Sequence, residues 1–335
     1  MSRIAILGAG AIGSALGACL SRAGQDVTLI GRPAHMDAVR RDGLRVDGRT
    51  GPFTARPSTA AALEFQPDYA FLTVKTQDVM RIVGANLPFL RSAALVTFQN
   101  GVRSDELVAG MLPRAHIASA VVNISATYLE PGAVTIVYPG TLLIGHPFAE
   151  GQVPLEALQR VLAQAARTTI TQNVRGAHWL KLLFNLNNAF PALTNTSLHE
   201  LYARRAMREL AARVIREGLR TVQAAGIRLE SLPEVSVDIF RLVGLLPVPL
   251  AGLLVAARAR RVQGQWPLLG STLQSLLRGR PTEIEYLNGE IVRLAATLHR
   301  PAPLNAMLIE LVHEAERTKR FLTLDEVERR MTSPA

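Results

Sequence analysis

Six residues near the start of the chain, Gly8-Ala9-Gly10-Ala11-Ile12-Gly13, constrain its fold more than any other feature. They follow a short apolar run at 4–7 and open a stretch, 12–23, in which small and apolar residues recur at helical spacing. Each glycine has its own task in such a strand–turn–helix unit. Gly8 permits the tight turn, Gly10 lets the backbone approach a pyrophosphate, and Gly13 lets helix and strand pack closely. The phosphates of a dinucleotide then rest on the N–H groups and positive dipole end of the helix. Placement directly between a strand and a helix makes the pattern specific. Gly8, Ala9, Gly10, Ala11, Ile12 and Gly13 are the expected cofactor-binding turn.

The surrounding pattern agrees. Strands are predicted at 4–7, 26–30, 69–74 and 95–99, separated by helical runs, which argues for a parallel sheet covered on both faces. Between 117 and 144 the β segments are broken by Pro131-Gly132 and Pro139-Gly140, as in a mixed-sheet extension or hairpin. From about residue 155 onward the reading is almost wholly helical, with amphipathic stretches at 199–225, 283–298 and 303–317. A chain of 335 residues suits two domains. The predicted organisation is α/β plus all-α: a dinucleotide-binding Rossmann domain over 1–170, then a helical substrate and catalytic domain over 171–330.

The second predicted strand bears on which dinucleotide binds. NAD-specific sites carry an acidic residue at its end, about 20 residues after the glycines, for the ribose 2′-hydroxyl. Here the strand ends Ile30-Gly31-Arg32, with no carboxylate until Asp37. Arginine suits a 2′-phosphate through a charge-assisted contact, so NADPH is the expected cofactor.

The kind of base is informative as well. The chain has 37 basic and 27 acidic residues, but its only lysines are Lys75, Lys181 and Lys319. Arginine keeps its proton under all ordinary conditions, whereas lysine can give one up. The arginines are scattered, without a long run or aromatic interleaving, and read as solvated surface rather than a nucleic-acid footprint. Lys75 ends the strand at 69–74, and Asn100 follows the next one in Gln99-Asn100-Gly101. Carboxyl ends of parallel strands are where doubly wound folds place ligands. A structural lysine and a turn-forming asparagine are the alternatives.

Lys181, Asn185 and Asn188 fall at i, i+4 and i+7 of one helical pattern, a polar stripe among apolar neighbours. A reductase needs this: a proton donor and fixed amides beside a carbonyl about to become an alkoxide. His178, on the same face, reads as a packed residue. Taken alone, Ser271 and Thr282 read as helix N-caps and Glu283 as a first-turn carboxylate.

Several function classes are excluded or disfavoured. The single cysteine, Cys19, rules out an internal disulfide framework and a cysteine-based zinc site, and the histidines lack metal-ligand spacing. No metal is expected. Residues 242–257 form an uncharged run of 16, but a membrane span needs about 20 apolar residues. This run also holds two prolines, so a buried or groove-lining helix is predicted, with no membrane association. Met1-Ser2-Arg3 leads straight into the first strand without a signal-peptide pattern, and a cytoplasmic location is the expectation.

With these residues assembled, the chain resembles the ketopantoate reductase (2-dehydropantoate 2-reductase) family over nearly its full length. The resemblance is carried by GAGAIG at 8–13, Val74-Lys75, Gln99-Asn100-Gly101 and the segment from Ala126 to Pro131-Gly132. It continues in Trp179-Leu180-Lys181-Leu182 with Asn185, and in Ser271 followed by Pro-Thr-Glu-Ile-Glu-Tyr-Leu-Asn-Gly at 281–289. It implies a Rossmann domain and a helical domain like the C-terminal one of 6-phosphogluconate dehydrogenase, with NADPH and a small 2-oxoacid in the cleft. The implied reaction is reduction of 2-dehydropantoate to pantoate, a step of pantothenate and coenzyme A biosynthesis. Lys181 matches the family's proton donor. Asn100 matches a residue contacting cofactor and substrate, and Lys75 and Ala126 fall among the cofactor contacts. Asn185 and Ser271 match substrate-holding residues, joined here by Asn188, and Glu283 matches a glutamate that supports the site and cofactor. A homodimer is left open. Three positions depart from the family: no asparagine directly precedes Pro191, another family asparagine is replaced near 196–198, and Gln274-Ser275 stands where an acidic residue is common. These leave another 2-oxoacid or an imine as the alternative substrate, and an NADP-binding regulator as the non-enzymatic alternative.

Overall fold

A computed structural model of the protein describes residues 1–262 and 270–332. The chain divides into two compact units, Met1–Ala177 and His178–Ala335.

The strands of the first unit are β1 (Arg3–Leu7), β2 (Asp26–Ile30), β3 (Leu44–Gly48), β4 (Phe53–Ala55), β5 (Ser58–Ala60) and β6 (Tyr69–Leu72). They continue with β7 (Ala94–Thr97), β8 (Ile117–Val122), β9 (Ser125–Thr127), β10 (Ala133–Tyr138), β11 (Thr141–Gly145) and β12 (Arg167–Ile170). Eight of them form one sheet in the order β12-β11-β8-β7-β6-β1-β2-β5. All its pairings are parallel except β11 with β8. The strand order reverses between β1 and β6, the switch point at which open α/β sheets bind ligands.

Helices α1 (Ala11–Arg22), α2 (Pro33–Asp42), α3 (Val79–Leu90), α4 (Ser104–Ala109) and α5 (Leu155–Leu162) complete the unit. Successive residues of a strand point to opposite faces, and β1 shows the consequence. Ile4 and Ile6 join the core containing Leu16 and Leu20 of α1, while Ala5 and Leu7 join the core containing Val79 and Val83 of α3. With both faces covered, the strand has to be apolar throughout.

A second sheet runs β4-β3-β10-β9: its antiparallel β9–β10 pair is the hairpin expected between 117 and 144, whereas β3 and β4 were not expected. Val46, Val134 and Ile136 pack into the same core as Leu16 and Leu20. His35 ties this layer to α1: its Nε2 lies 3.0 Å from Ser14 Oγ, and its Nδ1 accepts the Gly132 N–H at 2.9 Å. The strand β12 also interrupts a stretch expected to be helical, pairing with β11 at the sheet edge.

The second unit is helical. Its elements are α6 (Val174–Asn185), which spans the division, then α7 (Ala189–Thr194), α8 (Leu198–Ala203), α9 (Arg205–Ala224) and α10 (Val237–Leu245). They are followed by α11 (Val248–Val262), α12 (Ser271–Leu277), α13 (Asn288–Thr297), α14 (Pro303–Thr318) and α15 (Leu324–Thr332). Gly218 lets α9 lie close against the lysine-bearing segment; a Cβ there would sit 2.8 Å from Leu186 and 2.9 Å from Leu183.

The apolar run at 242–257 corrects an expectation. It is two helices, α10 and α11, broken at Leu246-Pro247, rather than one buried helix. Leu242, Leu245, Leu250 and Leu253 are exposed. Proline disfavours helical backbone in the residue before it, and Arg216 donates to the freed carbonyls of Val243 and Leu246, which stabilises the break. Among the described residues, no helix is long and apolar enough to cross a membrane.

Candidate active site

The glycine turn is held from below and open above. Gly8 has φ +116°, and a Cβ there would lie 2.6 Å from the Val74 side chain. Its N–H and that of Ala9 both donate to Ile30 O, at 3.0 and 3.1 Å. Thr73 Oγ1 donates to Gly8 O at 2.8 Å, a lock that the strand-end position of Thr73 did not signal. Gly13 is equally constrained, since a Cβ would fall 2.3 Å from Gly8 O. At Gly10 the situation is reversed: no heavy atom comes within 4 Å of where a Cβ would be. No side chain caps α1 at Gly10, and its first turn carries no acidic residue. The first N–H groups of a helix lack intrahelical partners, so this end of α1 is suited to a phosphate.

Ala9, Ala11 and Ile12 are buried or half-buried and present main chain to that space. Arg32 stands at the N-cap of α2, exposed, and its guanidinium makes no hydrogen bond or ion pair among the described residues. Open glycine, uncapped helix and available guanidinium together fit a dinucleotide carrying a 2′-phosphate.

At the neighbouring strand ends, Lys75 lies three residues beyond β6 and starts a 3₁₀ turn at Thr76–Asp78. Thr76 Oγ1 donates to the Asn100 carbonyl at 3.3 Å, leaving the Asn100 side chain without a hydrogen bond among the described residues. Gln99 behaves differently from its neighbour. Its amide turns inward, donating to Leu72 O at 2.7 Å and Val74 O at 2.9 Å, and so staples the ends of β6 and β7. Asp105, on the first turn of α4, receives hydrogen bonds from Thr97 at 2.5 Å and Ser119 at 3.0 Å. Burial pushes its carboxyl up to about 6, against the stabilising effect of those two hydroxyls. This network anchors the segment between β7 and α4 that contains Asn100. Ala126 is on β9, and its methyl group is buried in the core shared with α1; it can offer a ligand only its backbone.

In the second unit, α6 carries Lys181 and ends at Asn185. A 3₁₀ turn, Leu186–Asn188, follows, where an uninterrupted helix was expected. The tighter winding does not scatter the stripe, because side chains three residues apart eclipse one another in a 3₁₀ turn. Asn188 Nδ2 donates to Asn185 Oδ1 at 3.2 Å. A Cβ on Gly270 would lie 3.5 Å from the Asn188 side chain, which places the exposed Ser271, at the start of α12, beside the same stripe. His178 is buried on α6, as a packed residue would be.

Glu283 does not lie in the first turn of a long helix, as the pattern suggested; it precedes a 3₁₀ turn, Ile284–Tyr286. Its segment is clamped on both sides. The Thr282 N–H donates to Glu316 Oε1 at 2.7 Å, and His313 bridges Glu316 and Glu285 at 2.9 and 2.8 Å.

Burial lowers the Lys181 pKa to about 8, and the charge of Glu283 opposes that fall. The side chain as a whole is half-buried; it is the ammonium end that is desolvated. A general acid must carry its proton, so kcat/KM for carbonyl reduction should be level below about pH 8 and fall as pH rises through it. A pH–rate profile in the reducing direction checks this. A substrate carboxylate beside the ammonium should move the corresponding break in kcat to higher pH.

A buried chain of amides that the sequence reading had not assigned to the site supports this region. Asn288 Nδ2 donates to Leu186 O at 3.2 Å and to Asn305 Oδ1 at 2.9 Å. Asn305 Nδ2 donates in turn to Glu217 Oε1 at 2.8 Å. The 3₁₀ turn carrying Asn188 is thereby tied to α13, α14 and α9. Asparagine at 305, on the inward face of an amphipathic helix, is the signal that could have revealed it.

Known proteins match along nearly the whole chain. Residues 4–147 match the family model described as ketopantoate reductase PanE/ApbA, and residues 173–316 match its C-terminal counterpart. A 2-dehydropantoate 2-reductase of Pyrococcus horikoshii is 28% identical over 316 residues, covering 94% of this chain and 97% of the relative. The crystal structure of a PanE/ApbA family ketopantoate reductase from Ralstonia eutropha is 30% identical, with a TM-score of 0.79 over 95% of this chain and 99% of that one. A D-mandelate dehydrogenase solved with NADH and anilino(oxo)acetate shares the fold at 21% identity, with a TM-score of 0.81 over 94% of this chain and 99% of that one.

Proposed function

The chain belongs to the ketopantoate reductase family of oxidoreductases, and we propose that it reduces 2-dehydropantoate to pantoate with NADPH. The observation that carries the reading is Lys181: a desolvated ammonium near a carboxylate, on a helix face continued by Asn185 and Asn188.

In this reading the N-terminal unit holds the cofactor. Main-chain N–H groups at 10–13 take the pyrophosphate, Arg32 takes the 2′-phosphate, and the Lys75 and Asn100 segments border the nicotinamide. Reduced nicotinamide, when bound, supplies the hydride for the 2-oxo carbon. The remaining work falls to the helical unit. Asn185, Asn188 and Ser271 hold the substrate's polar groups. Lys181 stabilises the negative charge that develops on the carbonyl oxygen and transfers a proton from Nζ to it. Glu283 keeps that ammonium charged in surroundings that disfavour charge.

Glu283→Gln should lower kcat/KM most strongly at and above the pH at which Lys181 loses its proton, and little on the acid side of it. It should also move the alkaline break of the pH–rate profile below its wild-type position. A carboxylate that merely sits at the start of a turn would instead cost about 0.3–1 kcal/mol of stability and leave turnover alone.

A second reading, another 2-oxoacid, is favoured by one feature of the substrate region. Phe190, directly before Pro191 where family members often carry an asparagine, is fully buried and offers a ligand nothing. Measuring kcat/KM with NADPH across a panel of 2-oxoacids separates the two. Ketopantoate should lead the panel; a decisive preference for a different side chain would transfer the assignment to that substrate.

A further inference from the structure

The candidate site does not account for one cluster of positive charge in the helical unit. Arg213, Arg216 and Arg220 occupy i, i+3 and i+7 of α9, and with Arg300 they line a pocket of about 440 Å³. This volume lies within the range of ordinary small-ligand sites. The pocket contains none of the proposed cofactor- or substrate-contacting residues and meets the candidate site at Glu217, the end of its supporting amide chain.

Its charge is not balanced by the protein. The one acidic lining residue, Glu217, is committed elsewhere: it accepts the N–H groups of Leu304 and Asn305 at 3.0 and 2.8 Å and so caps α14. Arg216 spends donors on the carbonyls of Val243 and Leu246. Arg213, Arg220 and Arg300 are exposed and make no hydrogen bond or ion pair among the described residues. Burial, and then the charge of Arg220, lower the pKa of Arg216, so these guanidiniums feel one another. Like charges four apart on a helix destabilise it, yet α9 keeps them there.

Val248, the first residue of α11, lines the same pocket and brings the positive end of that helix dipole to it. Pro301 and Leu304 supply an apolar wall. Four guanidiniums against one carboxylate give a formal excess of three positive charges. We propose that this pocket is a second ligand site, taking a small oxyanion of about three negative charges, a polyphosphate or a polycarboxylate. Planar guanidinium forks match both chemistries. The occupant would bind the helix that packs, through Gly218, against the segment of Lys181.

Titration calorimetry on the full chain at low salt tests this, with inorganic pyrophosphate and citrate as separate probes. Saturating NADP⁺ is kept present so that the glycine turn is not open to the probe. One probe per chain should bind, more weakly as chloride is added. Two variants, Arg213→Gln/Arg220→Gln on α9 and Arg300→Gln on the separate turn, should each weaken binding at least about tenfold, the order expected for loss of a charge-assisted contact. All three side chains are exposed, and the single variant preserves the test if the double one does not fold. Binding of pyrophosphate alone assigns a polyphosphate, and binding of citrate alone a polycarboxylate. Failure of wild type to bind either probe, or equal binding by both variants, would overturn the proposal. None of these arginines belongs to the cofactor turn, so the outcome does not depend on the reductase assignment.

Discussion

Lys181→Ala should lower kcat by about 10²–10⁴-fold, the usual contribution of a positioned general acid, while NADPH binding stays near its wild-type strength. Hydride arriving at the carbonyl carbon leaves negative charge on the oxygen. An ammonium already in place stabilises that charge without having to reorganise, and then gives up a proton. The environment of Lys181 suits it to both steps, because burial brings its pKa down to about 8 and Glu283 prevents a further fall. Cofactor affinity should be spared because the glycine turn and Arg32 belong to the other unit. Lys181→Arg should not restore the rate. A guanidinium holds its proton too firmly to deliver it, and its donors point in different directions from those of an ammonium. Single-turnover rates with NADPH already bound would measure the chemical step directly. A near-normal rate in Lys181→Ala would remove this residue from the chemistry.

Arg32→Ala should weaken NADPH binding by about 1.5–3 kcal/mol, the range for a hydrogen bond to a charged group, and leave NADH almost unaffected. In the structure this guanidinium is exposed at the start of α2, beside the Ile30 carbonyl that pins Gly8 and Ala9, and it has no competing partner among the described residues. Substitution should not disturb the fold, since the Arg32 side chain contributes no hydrogen bond to it and alanine keeps the carbonyl that accepts from the His35 and Met36 N–H groups. Dissociation constants for both cofactors, measured side by side on wild type and variant, read the difference. An equal loss for NADPH and NADH would mean that Arg32 does not read the 2′-phosphate.

Much of the N-terminal half was legible because its signals are local. A glycine turn between an apolar run and a helix needs no tertiary information, and strands buried on both faces betray themselves as unbroken apolar runs such as residues 4–7 of β1. What escaped depends on long-range pairing. Strands β3 and β4 are short and polar at alternate positions; they become strands because they pair with each other, β10 pairs along the edge of β3, and α1 packs on one face of the sheet. The stretch 167–170 carries three β-branched residues, but so short a signal inside a helical region becomes decisive only when β11 pairs with it.

The candidate site divides in the same way. Lys181, Asn185 and Asn188 could be grouped by spacing alone, but the 3₁₀ turn that keeps them together depends on Asn288 and Asn305, each about a hundred residues further along the chain. Gln99 and Asn100 look equivalent in sequence. Only the two carbonyls of β6 and the turn after it, which capture the Gln99 amide, separate a structural staple from a side chain available to a ligand. Spacing along a helix therefore predicts which residues share a face, but not which polar groups the protein uses for itself.

The most direct test of the central claim is to incubate the protein with 2-dehydropantoate and NADPH and to follow the cofactor and the product together. The account predicts one pantoate formed for each NADPH oxidised, at a rate that requires Lys181 and declines above about pH 8. NADPH that stays reduced in the presence of 2-dehydropantoate, with no pantoate formed, would contradict it.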